Sequence, residues 1–449
     1  MGRYFSKRRL TLPYTHRMVR GLIAPTLATC GLMVASIAAA QTRREVLPQP
    51  MFTDPSPEQQ IEIRDDDPLV IPLWVRALGD DLVERKIQTA DSIAIAHGFG
   101  MPGLEVTIQP LIEAYQSDDA RVKLAAARTL NLIDARAAQE PFEADLPTLA
   151  TDLAPWVEPA LLRWKSEVAL QLWRSRAADP NARLLVRQSA FHYLGAWGDA
   201  QSLEDARNVV LDEALTLALR GAAAKSIAER TVSGEEDLAR ALLDSSSSTG
   251  PLLATMVLMG HTGEATQQLL TEIIRSEDDA AAGMAAKRLF DLDPRAVYPL
   301  VLEIRERRER DLRQVAVATF LHRNEPADVD QLLEMLDDFH PDVRHDARLA
   351  CEELTADARY AEKIPQYIAT ALAERRGPEH WRSLEQCCVY VGRLDHEANA
   401  SSLIELLDEE RIEVNCAAAW ALRMLAVEET FEPLHQYWRR CSTHARIVS

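Results

Sequence analysis

Several absences narrow what this chain is. Aromatic residues fill only 6% of its 449 positions, and no stretch alternates apolar and polar residues as a half-buried strand does. A sheet-based fold is therefore not expected. Catalytic signatures are missing: there is no GxSxG elbow, P-loop, GxGxxG or HExxH, and His396-Glu397 lacks the second histidine four residues on. The six cysteines form no CxxC and no Cys/His zinc spacing. No acidic residue occurs in the first forty positions, and after them no apolar run is long enough to cross a bilayer.

The acid-free start has a pattern of its own. Arg3, Lys7, Arg8, Arg9, Arg17 and Arg20 precede an apolar stretch from Gly21 to Ala40 that ends in three alanines. A basic region, an apolar core and an A-x-A end make a secretory signal over residues 1–40, with cleavage expected between Ala40 and Gln41. The competing reading is an uncleaved anchor in the inner membrane, formed by residues 21–40. Leu27-Ala28-Thr29-Cys30 is a poor lipobox, and Lys7-Arg8-Arg9 lies too far upstream for a twin-arginine signal. Without its leader the chain keeps 44 basic residues against 69 acidic ones, a net of −25. Such a surface opposes nucleic-acid binding. The expected location is the periplasm or cell envelope.

Residues 41–67, with Pro48, Pro50, Pro55 and Pro57 among Gln, Ser and Asp, read as a linker. From Pro68 to about residue 438 one phrase recurs roughly every 31 residues. Its clearest copies are Val186-Arg-Gln-Ser-Ala-Phe-His-Tyr-Leu-Gly195, Val343-Arg-His-Asp-Ala-Arg-Leu-Ala-Cys351 and Val414-Asn-Cys-Ala-Ala-Ala-Trp-Ala-Leu422. Each has an aliphatic anchor, a small residue four later and apolar residues seven and eight later, all on one stripe of a helix. Anchors fall at Arg85, Val122, Pro155, Val186, Leu219, Pro251, Ala281, Leu312, Val343, Ser383 and Val414; eight of the ten steps between them span 30 to 33 residues. Each anchor helix follows another amphipathic segment, such as Leu332-Leu-Glu-Met-Leu336. Ten to eleven stacked two-helix units, an all-α solenoid, are expected. The copy at Pro155 is degenerate because Pro159 takes the small position, an insertion is expected near 356–378, and residues 439–449 read as a tail.

Leu-Leu-x-Leu-Leu-Asp followed by a short acidic turn and Val-Arg-x-x-Ala-x-x-Ala-Leu resembles HEAT repeats, in particular the PBS-lyase HEAT-like subtype, over roughly residues 68–430. Arg187, Arg220, Arg313 and Arg344, with Lys123, match that family's basic residue after the anchor, and Leu194-Gly195 its glycine. The resemblance implies a right-handed superhelix and, for most members, a scaffolding role. One HEAT-like enzyme family, deoxyhypusine hydroxylase, binds iron through repeated His-Glu pairs; here only His396-Glu397 fits, with His345-Asp346 a poor second.

Five cysteines follow the leader: Cys351, Cys387, Cys388, Cys416 and Cys441. Cys351, Cys387 and Cys388 stand where other copies carry Ala or Leu and read as small buried hydrophobes, with a disulfide between C-terminal repeats the alternative. Trp156, Trp164, Trp173 and Trp197 crowd into some forty residues; Trp197 takes a core position, while Trp156 and Trp164 are candidates for an aromatic surface at the degenerate repeat. His340, Asp342, His345 and Asp346 cluster at one helix start and read as capping and solvated charge rather than a metal site.

The sharpest expectation concerns offsets 2, 6 and 9 from each anchor, which point away from the buried stripe. Early copies fill them with polar residues such as Asp91, Arg128, Asn131, Gln188, His192 and Lys225. Later copies place Phe290, Leu321, Leu349, Val389 and Trp420 there, on five successive helices. An exposed apolar track marks an interaction surface. The expected function is thus a non-catalytic exported scaffold that holds a protein or peptide on its concave face; the alternative is a permanent accessory subunit of an envelope complex. No cofactor, metal or small-molecule substrate is expected.

Overall fold

A computed structural model describes residues 70–198, 200–374 and 379–448, apart from the side chains of 441–448. The expected leader, its cleavage point at Ala40 and Gln41, and the 41–67 linker lie outside the described residues. Among the described residues there are helices and turns and no strand. No helix there is long and apolar enough to cross a membrane. The chain divides into two compact units that meet between Ala169 and Leu170 in sequence.

In the first unit the helices are α1 (Val70–Leu78), α2 (Val83–Gly98), α3 (Ile108–Tyr115), α4 (Ala120–Leu132), α5 (Gln139–Asp145) and α6 (Ala154–Arg163). The unit boundary falls inside α7 (Glu167–Ala178). The second unit continues with α8 (Leu184–Trp197), α9 (Ala200–Leu211), α10 (Leu217–Arg230), α11 (Glu236–Asp244), α12 (Gly250–Leu258), α13 (Glu264–Ile274) and α14 (Asp279–Leu292). Two short helices, α15 (Pro294–Val297) and α16 (Val301–Arg305), then act as one broken element. There follow α17 (Arg310–Arg323), α18 (Pro326–Glu334), α19 (Pro341–Thr355), α20 (Lys363–Glu374), α21 (Trp381–Leu394), α22 (Ala400–Leu406), α23 (Ile412–Leu425) and α24 (Phe431–Val448).

Within each unit, helix pairs stack in chain order, and each anchor helix packs on the next. The protein is an all-α solenoid of HEAT-like helix pairs. Every one of the eleven anchors sits at the second or third residue of its helix. The small residue four positions later is buried in ten copies, as at Ala126, Ala190, Ala223, Ala285, Ala316, Ala347, Cys387 and Ala418. The exception is Pro159, which α6 carries inside the helix. Small side chains there let neighbouring helices close up. Glycine goes further: a Cβ on Gly392 would lie 2.7 Å from the Trp420 ring and 2.8 Å from Ala421 Cα, and one on Gly195 would lie 2.8 Å from Ser226 Cα.

The arginine after the anchor has a structural task. Arg187 and Arg220 donate from Nε to the carbonyls of Ala177 (3.2 Å) and Val210 (2.8 Å), at the end of the preceding helix. Arg313 and Arg344 donate from Nη1 to the carbonyls of Arg307 (2.8 Å) and Asp338 (2.9 Å), in the turns just past the preceding helices. The last carbonyls of a helix have no intrahelical donor, and a cation complements the negative end of its dipole. The recurring arginine therefore closes the helix before it.

Twelve residues after the anchor, Asp134, Gly198, Asn324, Asp395 and Ala426 all adopt positive φ and end their helices. Asn, Asp and Gly tolerate that region best. Helix starts carry local chemistry: Asp293 caps Pro294 by accepting from the Arg295 amide at 3.0 Å, and Pro251 and Pro341 lie in first turns. Asp179 accepts from the Asn181 amide at 2.9 Å in the turn that precedes α8.

Three expectations are corrected. The stretch 356–378 is not wholly an insertion, because Lys363–Glu374 is the ordinary first helix of its pair. Extra length lies in the connection 356–362, which is pinned where the Tyr360 hydroxyl donates to the Asn324 carbonyl at 3.0 Å; residues 375–378 lie outside the described ones. Trp164 is not a surface aromatic. It is buried, stacks on Phe142 with ring centroids 5.7 Å apart, and donates from Nε1 to Asp134 at 2.8 Å. Trp173, fully buried, stacks on Tyr193 and meets Trp197 edge-on, so these rings serve packing. The expected boundary between Trp438 and Arg439 falls inside α24, which runs through it.

Candidate functional site

The polar early positions lie where successive anchor helices face each other. In the first unit Arg128 on α4 pairs with Asp91 on α2, and Arg163 on α6 donates to the Asn131 side chain at 2.8 Å. In the second unit Gln188 donates to the Ala218 carbonyl at 2.9 Å, and His192 lies 3.6 Å from Glu229. The inward phase assigned from the sequence thus reads as a polar seam between neighbours.

The later, apolar positions are all in the second unit. Phe290, Leu321, Val389 and Trp420 are half-buried, and Leu349 is 38% exposed, so none of the five is sequestered. Phe290 meets His322 edge-on at 6.2 Å, and the His322 ring is fixed by the Tyr298 hydroxyl at 2.8 Å. Trp420 lies over Gly392, one helical turn beyond Val389.

Polar rungs flank this track. Gln314 donates to Asp346 at 2.7 Å, Arg348 to Gln386 at 3.1 Å, and Arg393 to Glu352 at 2.9 Å. Arg348 also pairs with Glu352 on its own helix. Burial pulls the Arg348 pKa below its ordinary value, against the opposing pull of Glu352. Such rungs fix the spacing of α17, α19 and α21 under the apolar side chains.

Sequence reasoning missed a cleft of about 340 Å³ between α10, α12 and α14, lined by Ala228, Met256, Met259, Gly260 and Met284, with Lys225 and Glu229 at its rim. Its origin is a truncated helix. The apolar residue eight after the anchor is buried in α8, α10, α14 and α17, at Leu194, Ile227, Leu289 and Phe320. In the copy between them α12 stops at Leu258, so Met259 sits past its end and is 38% exposed. The signal was available in the three methionines, but they fall at offsets 5, 8 and 3, outside the positions taken as inward.

The remaining candidates resolve locally. His340 caps α19 by accepting from the Asp342 amide at 3.2 Å, and His345 contacts Arg348 at 3.1 Å. His396 stacks on Tyr390 with ring centroids 5.6 Å apart. No group of three potential metal ligands converges among the described residues. Cys351, Cys387 and Cys388 are buried thiols, as the small-hydrophobe reading expects, and burial pushes the Cys351 pKa well up. Cys416 is exposed.

No protein-family model matches this chain, and no curated protein matches it either. Among solved structures it is similar to an engineered protein at 15% identity, over 80% of this chain and 99% of that one, with a TM-score of 0.30. It is similar to human deoxyhypusine hydroxylase in complex with glycerol at 17% identity, over 66% and 98% of the two chains, with a TM-score of 0.25. A mutant of Kap121p matches at 13% identity over 84% of this chain and 43% of its own, with a TM-score of 0.31. The chain thus spans under half of Kap121p. At such scores none of the three informs the site, and the fold rests on the helices described above.

Proposed function

We propose that the protein is a non-catalytic scaffold of the cell envelope that holds a protein or peptide segment on the inner face of its second unit. The observation that carries this reading is the run of partly exposed apolar side chains on five successive anchor helices, Phe290, Leu321, Leu349, Val389 and Trp420. Apolar surface gathered on one wall favours association. The methionine cleft shares α14 with Phe290 and suits an apolar anchor side chain, because thioethers adapt to varied shapes.

A photo-crosslinking residue placed at Leu349 tests this in the native organism, with one at Leu302, 59% exposed on α16, as the control. Adducts to a discrete protein from position 349 and not from 302 are expected. No adduct at 349, or equal yield at both, refutes the reading. A complex that survives purification in fixed ratio favours the accessory-subunit alternative over a reversible scaffold.

A further inference from the structure

We propose that the cluster around Trp381, where α21 and α23 begin, is an oxyanion site for a phosphate or carboxylate group. It is separate from the apolar track and does not depend on it. The guanidinium carbons of Arg411, Arg382 and Arg344 lie 4.7, 5.2 and 5.4 Å from the centroid of the one indole ring. Three like charges thus share a neighbourhood, and a ring face attracts each of them only weakly at a surface.

Elsewhere in the unit such arginines are held by carboxylates, as Arg313 is by Asp338, Arg323 by Asp328 and Arg348 by Glu352. Around Trp381 two of the three arginines lack such a partner. Arg382 and Arg411 have no carboxylate or carbonyl acceptor among the described residues, and both guanidinium groups lie by the ring. Glu409, Glu410 and Glu413 neighbour Arg411 in sequence, and none pairs with it. Glu385 is taken by Arg344 at 3.4 Å. Arg344 is 5% exposed and leaves its Nε without an acceptor.

The backbone adds a second observation. His380 and Arg411, at the N-cap positions of α21 and α23, make no side-chain cap. Asp337 accepts from the Ser383 amide at 3.2 Å, and the amides of Ile412 and Glu413 have no side-chain acceptor among the described residues. The positive end of α23 therefore begins beside the three arginines without an anionic partner, while that of α21 already holds Asp337. A guanidinium presents paired N–H donors that match two oxygens of a phosphate or carboxylate, and such a ligand relieves the mutual repulsion.

Isothermal titration of the full chain at low ionic strength, with inorganic pyrophosphate and with citrate as probes, tests the site. Saturable one-to-one binding of at least one probe is expected, with sodium chloride of equal ionic strength giving none. Tighter pyrophosphate binding assigns a phosphoryl ligand, and tighter citrate binding a carboxylate. Joint Arg382→Gln and Arg411→Gln substitution should weaken binding about tenfold or more, as losing charge-assisted hydrogen bonds does. Arg423→Gln, an exposed arginine on α23, should change nothing. If the double variant loses helicity by circular dichroism, Arg411→Lys replaces it, keeping the charge and removing the fork, and should still weaken binding. Absence of saturable heat with both probes, or unchanged affinity in the variant, overturns the proposal.

Discussion

Replacing Gly392 and Gly221 by alanine should shift stability in opposite directions. Both glycines lie inside anchor helices, where alanine is favoured over glycine by about 1 kcal/mol. At Gly221 the added methyl meets only the tip of Met256, 3.3 Å away, and a flexible thioether can move aside. Most of the helix gain should survive, so Gly221→Ala should stabilise by about 0.5–1 kcal/mol. At Gly392 the same methyl would lie 2.8 Å from Ala421 Cα and 2.7 Å from the Trp420 ring. Backbone cannot step aside without moving α23, and overpacking of this kind costs about 1–3 kcal/mol. Gly392→Ala should therefore lose about 1 kcal/mol net, the overpacking cost exceeding the helix gain. Repeat arrays can unfold in segments, so urea titration should be paired with hydrogen exchange of α21 and α23, which reads opening of those helices alone. A Gly392→Ala protein as stable as Gly221→Ala, with unchanged protection in both helices, refutes the close approach of α21 and α23.

Two further perturbations probe buried polar groups. Arg313→Met leaves the carboxylate of Asp338, itself 8% exposed, and the carbonyls of Arg307 and Arg308 without their cation; a loss of about 3 kcal/mol is expected in denaturant titration, and a loss under about 1 kcal/mol would place the pair with weak surface bridges. His261 is fully buried among Thr231, Glu235, Glu236 and Arg288, and burial lowers its pKa from 6.5 against the upward pull of Glu236 and Glu235. The unfolded chain then takes up this proton more readily, so stability is full above the unfolded value and falls as pH drops below it. The urea midpoint should fall from about pH 7.5 to about pH 5.5 more steeply in the parent than in His261→Gln; equal slopes contradict this.

Much of the solenoid was legible because its determinants are local. A buried stripe needs a small residue four after the anchor whatever surrounds it, and that spacing marked ten anchor helices; the eleventh, at Pro155, followed from the period of about 31 residues alone. The basic residue after the anchor was visible as pattern only. That Arg220 reaches back to Val210 depends on the loop between α9 and α10, which spacing does not encode. The burial of Trp164 was not legible because it is a tertiary fact, set by Phe142 on the other helix of its pair and by Asp134 at the end of the preceding pair. The methionine cleft escaped for a similar reason. Early termination of α12 turns Met259 from a core position into a wall, and a fixed helical phase cannot register a helix that stops short. The left-handed residue twelve after the anchor was readable in principle, since Asp134, Gly198, Asn324 and Asp395 are residue types that accept it.

The inward-reaching arginines bear on how such a chain can lengthen. Arg187, Arg220, Arg313 and Arg344 each find their carbonyl acceptors inside their own helix pair or the turn that completes it. A gene segment encoding one pair therefore travels with its carbonyl fastening already installed, while the carboxylates that complete it at Arg313 and Arg344, Asp338 and Glu385, are supplied by the copy that follows. Growth by whole modules becomes mechanically cheap, while a cut between an arginine and the helix it seals does not.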